Sequence, residues 1–138
     1  MTQYALVTGA RKGLGKAFAI ELSKRKINTI LVGSPNKELG ALCEKLKKNY
    51  KVDSIPYETD LSVYENVVDL SAWVNQHYNV YMLINNVGTG GTKKMIDAPA
   101  EYINRILKLN IITTSVLTHQ LLPNLLKQPK GYILNIAS

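Results

Sequence analysis

Three glycines near the start of the chain have the spacing of a phosphate-binding turn. Gly9, Gly13 and Gly15 follow the apolar stretch Tyr4-Ala5-Leu6-Val7-Thr8 and lead into a helical pattern. Glycine permits a sharp turn and a close approach of the backbone to a diphosphate, and the free N–H groups at the start of the next helix attract anions. These residues therefore predict a site for the diphosphate of a dinucleotide.

Polar or glycine-containing clusters also follow the other apolar stretches. They are Gly33-Ser34, Asp60-Leu61, Asn85-Asn86-Val87-Gly88 and Ala137-Ser138. If each stretch is a parallel strand, all these clusters lie at the carboxyl edge of one sheet, where such sheets bind ligands. A glycine-rich turn alone is a weak signal, but five clusters at one edge predict a shared binding crevice.

The elements that must position these residues alternate regularly along the chain. Apolar runs predict strands over residues 4–8, 29–32, 51–57, 80–84 and 132–136. Helical spacing predicts helices over 13–25, from about Pro35, over 62–77 with Ser62 as N-cap, over 99–107 and from there to about 127. This alternation predicts an α/β fold, a doubly wound parallel sheet of strand order 3-2-1-4-5.

Length, charge and cysteine content limit the other possibilities. The 138 residues predict one domain, and no apolar stretch is long enough for a membrane span. The net charge is +7, partly from Lys45, Lys47, Lys48 and Lys51, which we interpret as a solvated face and not as a nucleic-acid site. The lone Cys43 favours a reducing, cytoplasmic location, and the absence of a Cys/His cluster predicts no metal site.

Together these motifs resemble the short-chain dehydrogenase/reductase family. Thr8 to Gly15 is similar to the family's Thr-Gly-x-x-x-Gly-x-Gly turn, and Asn85 to Gly88 resembles Asn-Asn-Ala-Gly with Val87 in place of alanine. Asn135 to Ser138 resembles the signature of strand 5. The resemblance covers the whole chain and implies a single, incomplete NAD(P)-binding domain of Rossmann-like fold over residues 1–138. The branch it looks most like contains 17β-hydroxysteroid dehydrogenases and long-chain 3-oxoacyl-CoA reductases.

The resemblance also implies roles for individual residues. Asn110 and Ser138 fall on catalytic positions, where the serine would hold the substrate oxygen and the asparagine would anchor a water of the proton relay. Asp60 matches the position that touches the adenine ring. The implied coenzyme-binding residues are Gly9, Arg11, Lys12, Gly13, Leu14, Gly15, Ser34, Asp60, Leu61, Asn86, Val87 and Gly88.

The residues after strand 2 indicate which coenzyme is preferred. A carboxylate at that point would bind the ribose 2′-OH of NAD(H) and repel a 2′-phosphate. The chain has Gly33-Ser34-Pro35 there, while Arg11 and Lys12 add positive charge nearby. We therefore expect NADP(H) to be preferred, with NAD(H) possible.

One part of the family pattern is absent from the sequence. The family's catalytic Tyr-x-x-x-Lys follows the serine, and none of the eight tyrosines here has a lysine four positions on. The complete enzyme is expected to transfer hydride between a nicotinamide and a carbonyl or alcohol substrate of the steroid or 3-oxoacyl kind, and this chain alone is expected to be inactive. The alternatives are a non-catalytic nucleotide-binding or sensor module and, less favoured, a methyltransferase, which would leave Asn85-Asn86-Val87-Gly88 unexplained.

Strand 5 has further consequences for assembly. The sheet is expected to end with this apolar strand, whose unpaired backbone groups could pair with a second copy. The long helix after Asn110 resembles a subunit-interface helix of the family. We therefore expect self-association or a homo-oligomer, formed through the edge of strand 5 or through that helix.

Overall fold

The architecture is one parallel sheet with helices on both faces, in a computed structural model that describes residues 2–90 and 93–137. The strands are β1 (Gln3–Thr8), β2 (Asn28–Gly33), β3 (Ser54–Glu58), β4 (Asn79–Asn85) and β5 (Tyr132–Asn135). The helices are α1 (Gly13–Lys24), α2 (Lys37–Tyr50), α3 (Tyr64–His77), α4 (Ala100–Leu107) and α5 (Thr113–Leu126). All strand pairs are parallel and the order is β3-β2-β1-β4-β5, which confirms the predicted fold class and strand order.

Two apolar layers hold the helices to the sheet. On one face, Leu42 and Leu46 of α2 pack with α1 against β1 and β2. On the other face, Leu70 of α3 and Leu117 of α5, both fully buried, pack against β1, β2 and β4. The inner strands are therefore covered on both sides, as expected for a parallel sheet with right-handed crossovers.

Two element boundaries differ from the sequence prediction for local reasons. Helix α2 begins at Lys37 and not near Pro35, because the side chain of Asn36 caps it by accepting a hydrogen bond from the backbone N–H of Glu38 at 2.6 Å. Strand β3 begins at Ser54 and not at residue 51. Lys51 ends helix α2 in a left-handed conformation, with φ of 56°, and an extended strand cannot start there.

The predicted cap of the third helix was wrong. Helix α3 begins at Tyr64 with Val63 in the cap position, and no side chain caps it. The Ser62 hydroxyl instead donates a hydrogen bond to Asp60 Oδ1 at 2.6 Å. Ser62 therefore organises the turn after β3 and not the start of the helix.

A single π-helical turn, Lys108–Ile112, joins α4 to α5 without a break in the rod. Such wider turns inside α-helices occur frequently at functional sites. Asn110 lies at its centre. The sequence pattern had predicted two successive helices here but not this turn.

Candidate functional site

A cavity of about 490 Å³ opens at the carboxyl edge of the sheet, beside the ends of β1 and β4. Ten of the twelve predicted coenzyme-binding residues line it: Gly9, Arg11, Lys12, Gly13, Ser34, Asp60, Leu61, Asn86, Val87 and Gly88. Five further residues complete its walls: Gly33, Thr59, Thr89, Arg105 and Leu109. The structure thus brings residues of four of the five predicted clusters together in one crevice, where the winding of the sheet reverses. The exception is Ala137-Ser138: Ala137 lines a separate cavity, and Ser138 lies outside the described residues.

The three glycines of the turn are required for three different reasons. Gly13 has φ of +59° with open space around it, so its backbone conformation is what excludes other residues. A Cβ on Gly15 would lie 2.0 Å from the carbonyl oxygen of Gly9, so here close packing of α1 on the turn requires glycine. Gly9 combines both conditions, with φ of +62° and Asn86 Nδ2 at 3.0 Å from the position of a Cβ.

Two of the predicted residues do not line the cavity. The Leu14 side chain is 53% exposed, one position into α1. Gly15 is buried beneath the turn. Its effect on a ligand would therefore be indirect, through the shape that it allows the turn to take.

Hydrogen bonds between β1 and β4 fix the floor of the cavity. The Thr8 hydroxyl oxygen accepts from the backbone N–H groups of Asn86 at 3.0 Å and Val87 at 2.9 Å. In return, Asn86 Nδ2 donates to the carbonyl oxygens of Thr8 and Gly9, both at 3.2 Å. The glycine turn and the Asn85-Asn86-Val87-Gly88 segment are thus held together before any ligand binds.

Asp60 is the acidic residue among those that line the cavity. Hydrogen bonds from Ser62, first from its hydroxyl and then from its backbone N–H, lower the pKa of the Asp60 carboxyl, and the nearby Arg105 guanidinium lowers it further. Arg105 Nη1 donates to the Ser62 hydroxyl oxygen at 2.9 Å and lies 3.8 Å from Asp60 Oδ1. Asp60 is therefore ionised at neutral pH, with Oδ1 engaged by Ser62.

The turn after β1 supplies positive charge to the cavity wall beside the end of β2. A Cβ on Gly33 would lie 3.4 Å from Arg11 Cβ, which shows how closely the arginine stem packs on the end of this strand. Ser34 follows Gly33 and is exposed, and Lys12 is exposed beside Arg11. A phosphate group at this wall would meet two cations and a hydroxyl.

Asn110 fastens the loop that follows β4. Its Nδ2 donates to the carbonyl oxygen of Thr89 at 2.7 Å, and its Oδ1 accepts from the backbone N–H of Thr89 at 2.8 Å. The residue also lines a second cavity of about 460 Å³, together with Val87, Thr114 and Asn135. Ser138, the other predicted catalytic residue, lies outside the residues that the structure describes.

A buried amide connects β4, β5 and α5 next to this second cavity. Asn85 Nδ2 donates to Thr118 Oγ1 at 2.9 Å and to Asn135 Oδ1 at 2.8 Å. The Asn85 carbonyl oxygen accepts from the backbone N–H of Ile136 at 3.0 Å. These bonds set the end of β5, the strand that leads to Ser138.

Sequence reasoning missed Thr59, Thr89, Arg105 and Leu109 as members of the site. Leu109 and Arg105 precede Asn110 by one and five positions, so they enter the cavity from the same helical rod. Their spacing from Asn110 was the available signal, but only the fold shows that this rod packs against the turn after β3. Thr89 lines the cavity because hydrogen bonds to Asn110 hold the loop after β4 at the cavity mouth.

Residues 2–90 and 93–137 contain neither a metal-ligand cluster nor a membrane-spanning helix. No three His, Cys, Asp or Glu side chains converge there as metal ligands would. None of the described helices combines the length and the apolar character that crossing a bilayer requires.

Comparison with known proteins agrees with this geometry. The family model for short chain dehydrogenase matches residues 3–138. A very-long-chain 3-oxoacyl-CoA reductase of Coprinopsis cinerea is 32% identical over 98% of this chain and 41% of its own length. An uncharacterized oxidoreductase of Staphylococcus epidermidis is 33% identical over 97% of this chain and 57% of its own length. The chain thus spans about half the length of these relatives.

Solved structures share the fold over the same range. A short-chain dehydrogenase from Sphingobium yanoikuyae in complex with NADPH superposes with a TM-score of 0.92, at 25% identity, over 100% of this chain and 54% of its own. L-sorbose reductase from Gluconobacter frateurii, complexed with NADPH and L-sorbose, superposes with a TM-score of 0.92, at 25% identity, over 98% of this chain and 52% of its own length.

Proposed function

Because the chain belongs to the short-chain dehydrogenase family, we propose that it is the coenzyme-binding part of an NADP(H)-dependent oxidoreductase. The observation that carries this proposal is the cavity at the carboxyl edge, which gathers the glycine turn, Asp60 and the Asn86-Val87-Gly88 segment. The reaction proposed for the whole enzyme interconverts a carbonyl and an alcohol.

The shape of the glycine turn fits a dinucleotide. Side chains at Gly9 or Gly15 would collide with neighbouring atoms, so the turn is packed as tightly as the backbone allows. The first backbone N–H groups of α1 have no partners within the helix and lie at the same point. Together they form a cradle in which a diphosphate can accept hydrogen bonds at the positive end of a helix.

Charged and polar groups beside the ends of β2 and β3 support an orientation of the coenzyme. Arg11, Lys12 and Ser34 would hold the 2′-phosphate of NADP(H), and Asp60 would accept a hydrogen bond from the adenine amino group. Both assignments are supported by the position of these residues in one cavity and by the charges of Arg11, Lys12 and Asp60. Two of the solved relatives bind NADPH.

At the other end, Asn110 and Asn135 would border the reacting groups. Both line the second cavity, which shares Val87 with the first. When bound, the nicotinamide supplies or accepts the hydride. Asn110, whose side-chain amide is occupied by Thr89, would orient this end through its backbone and through the loop that it fastens. Ser138 would hold the substrate oxygen.

The substrate class proposed is a 3-oxoacyl or steroid-like carbonyl compound. The support comes from relatives named very-long-chain 3-oxoacyl-CoA reductase in fungi and vertebrates, which are 29–32% identical to this chain. A relative named hydroxysteroid dehydrogenase-like protein, from Gallus gallus, is 28% identical.

Calorimetric titration of the chain with NADPH, NADH and S-adenosylmethionine tests the proposal. We expect NADPH to bind at least about tenfold more tightly than NADH, because an ionic contact to the 2′-phosphate contributes roughly 1.5–3 kcal/mol. S-adenosylmethionine should not bind. Failure of both nicotinamide coenzymes to bind would overturn the proposed function, and equal affinities would overturn the preference for NADP(H).

A further inference from the structure

Charge is strongly segregated along the chain. Residues 2–51 contain eleven lysines and arginines but three glutamates, whereas residues 52–90 contain five acidic residues and no basic ones. Residues 93–137 contain six basic and two acidic residues. The three segments therefore carry charges of +8, −5 and +4, and the largest positive charge lies in the first third of the sequence.

The fold turns this linear pattern into a spatial one. Helices α1 and α2 lie side by side on one face of the sheet, while α3 and α5 cover the other. We call the outer surface of α1 and α2 the basic face; its exposed cations include Lys16, Lys24, Lys45 and Lys48. The positive charge thus points away from the sheet on one side of the molecule.

Little of this charge is neutralised within the protein. In the described part of the chain, the ion pairs of the basic face are Arg25 with Glu21 at 3.1 Å and Lys47 with Glu44 at 3.4 Å. Each pair joins residues three or four positions apart, within a helix or at its end. Within residues 2–90 and 93–137, no carboxylate from another element forms an ion pair on the basic face, so the field of the other cations extends into solvent.

A groove of about 690 Å³ runs between the two helices. Lys16 from α1 and Lys45 from α2 line it, together with the apolar side chains of Ile20, Leu42 and Leu46. Glu38 is the one acidic residue of this lining, and Arg11 and Lys12 line the end that the groove shares with the coenzyme cavity. Cationic walls above an apolar floor suit an anionic headgroup that is joined to a hydrocarbon chain.

We propose that the basic face docks on an anionic phospholipid bilayer, with lipid phosphates among the lysines of α1 and α2. This goes beyond coenzyme binding and does not depend on it. A planar partner fits because α1 and α2, of 12 and 14 residues, are about 18 and 21 Å long and form a flat layer. Their cations are spread over that layer.

The same features favour a bilayer over nucleic acid. Reading a duplex groove requires one protruding helix or ribbon that enters it. Here both helices are held against the sheet by buried residues, including Leu22 of α1 and Leu39 of α2. Neither can enter a groove without unpacking the core.

Vesicle sedimentation of the full chain tests the proposal with two matched triple variants. Lys24→Gln/Lys45→Gln/Lys48→Gln removes three charges from the basic face, while Lys108→Gln/Lys127→Gln/Lys130→Gln removes three from the side of α4 and α5. All six residues are exposed, and glutamine keeps helix propensity close to that of lysine. Thermal unfolding followed by circular dichroism checks that both variants fold.

We expect the unmodified chain to bind phosphatidylserine-containing vesicles and not pure phosphatidylcholine vesicles. Each lysine near an anionic bilayer contributes roughly a fivefold factor, so the first triple variant should bind about 100-fold more weakly. The second triple variant should bind the vesicles less than about fivefold more weakly than the unmodified chain. Raising the ionic strength to about 1 M should abolish binding, because the Debye length falls to about 3 Å.

Three results would overturn the proposal. They are equal binding to both kinds of vesicle, equal losses in the two triple variants, and tighter binding to a short DNA duplex than to anionic vesicles. The last outcome would assign the basic face to nucleic acid instead. NADPH titration of the first triple variant should be unchanged, which separates this test from that of the proposed function.

Discussion

Gly15 shows how a single residue can control the site without lining it. Its substitution by alanine would place a methyl group 2.0 Å from a carbonyl oxygen of the turn, a distance that requires the backbone to move. We expect Gly15→Ala to lower the free energy of unfolding by roughly 1–3 kcal/mol. It should weaken NADPH binding more than about tenfold, because the cradle of N–H groups is displaced. Chemical denaturation and calorimetry measure the two effects.

Gly40 provides the matched control for this substitution. It lies in helix α2, and a Cβ there would meet no atom within 4 Å. Gly40→Ala should therefore stabilise the protein by roughly 0.4–1 kcal/mol and leave coenzyme affinity unchanged. Equal effects of the two substitutions on NADPH binding would show that the packing of the turn does not matter to the ligand.

Ser34 tests the basis of coenzyme preference at the end of β2. Ser34→Asp places a carboxylate beside Arg11 in the cavity wall. We expect NADPH affinity to fall at least about tenfold through repulsion of the 2′-phosphate, while NADH affinity stays the same or rises. Ser34→Ala, which adds no charge, is the control and should lower the affinity for NADPH about threefold to tenfold. A parallel loss for both coenzymes in Ser34→Asp would contradict the placement of the phosphate.

At the scale of elements, a buried tyrosine joins β1 to the segment before β3. Tyr4 Oη donates to Asp53 Oδ2 at 2.6 Å, and burial, together with this carboxylate, raises the pKa of Tyr4 from 10.0 to about 12. The folded-state pKa lies above the unfolded value, so the stabilisation is fully present below pH 10 and is lost as the pH rises towards 12. The loss should be on the order of 2 kcal/mol.

Tyr4→Phe isolates the contribution of this phenol to the pH dependence of stability. The variant lacks the phenol, so its free energy of unfolding should fall less than that of the parent chain between pH 9.5 and 12. Denaturant unfolding at a series of pH values measures the difference. Parallel pH profiles for the two proteins would show that the Tyr4–Asp53 hydrogen bond has no part in alkaline unfolding.

The elements themselves were largely predictable, since each strand is a short apolar run and each helix has apolar residues at helical spacing. The parallel sheet and its order follow from that alternation and from the handedness of crossovers. Boundaries were less predictable, because side-chain caps decide them. Asn36 accepts a hydrogen bond from the N–H of Glu38, so α2 begins after it. The Ser62 hydroxyl donates to Asp60 and does not cap α3.

The site was predictable where residue type alone limits the geometry. Glycines with positive φ and polar residues at strand ends fall in the cavity as expected. Arg105 and the π-helical turn at Asn110 could not be read from local patterns. Both depend on how the α4–α5 rod packs against the turns after β3 and β4, which is a tertiary property.

At the scale of the whole molecule, β5 leaves an apolar surface in contact with solvent. Tyr132, Ile133 and Leu134 are 49%, 44% and 43% exposed, and β5 pairs with β4 on one side. Helix α5 and the π-helical turn expose a second apolar surface at Ile111 and Ile112, which are 56% and 45% exposed. Both surfaces can bury area in a second copy.

We expect the 138-residue chain to self-associate, and two substitutions distinguish the surfaces. Ile133→Lys places a charge on β5, and Ile111→Lys places the same charge on the helical surface. If the edge of β5 mediates association, the first should shift the chain towards monomer and the second should not. Size-exclusion chromatography with light scattering measures the mass. A parent chain that stays monomeric at all concentrations would contradict the expectation.

The central claim is that the N-terminus of α1 and its glycine turn hold the diphosphate of a dinucleotide. A crystal structure of the chain grown with NADPH tests it most directly. The account predicts diphosphate density within hydrogen-bond distance of the backbone N–H groups that follow Gly13, with the 2′-phosphate beside Arg11 and Ser34. An ordered NADPH bound elsewhere on the molecule, with this turn left to solvent, would contradict it.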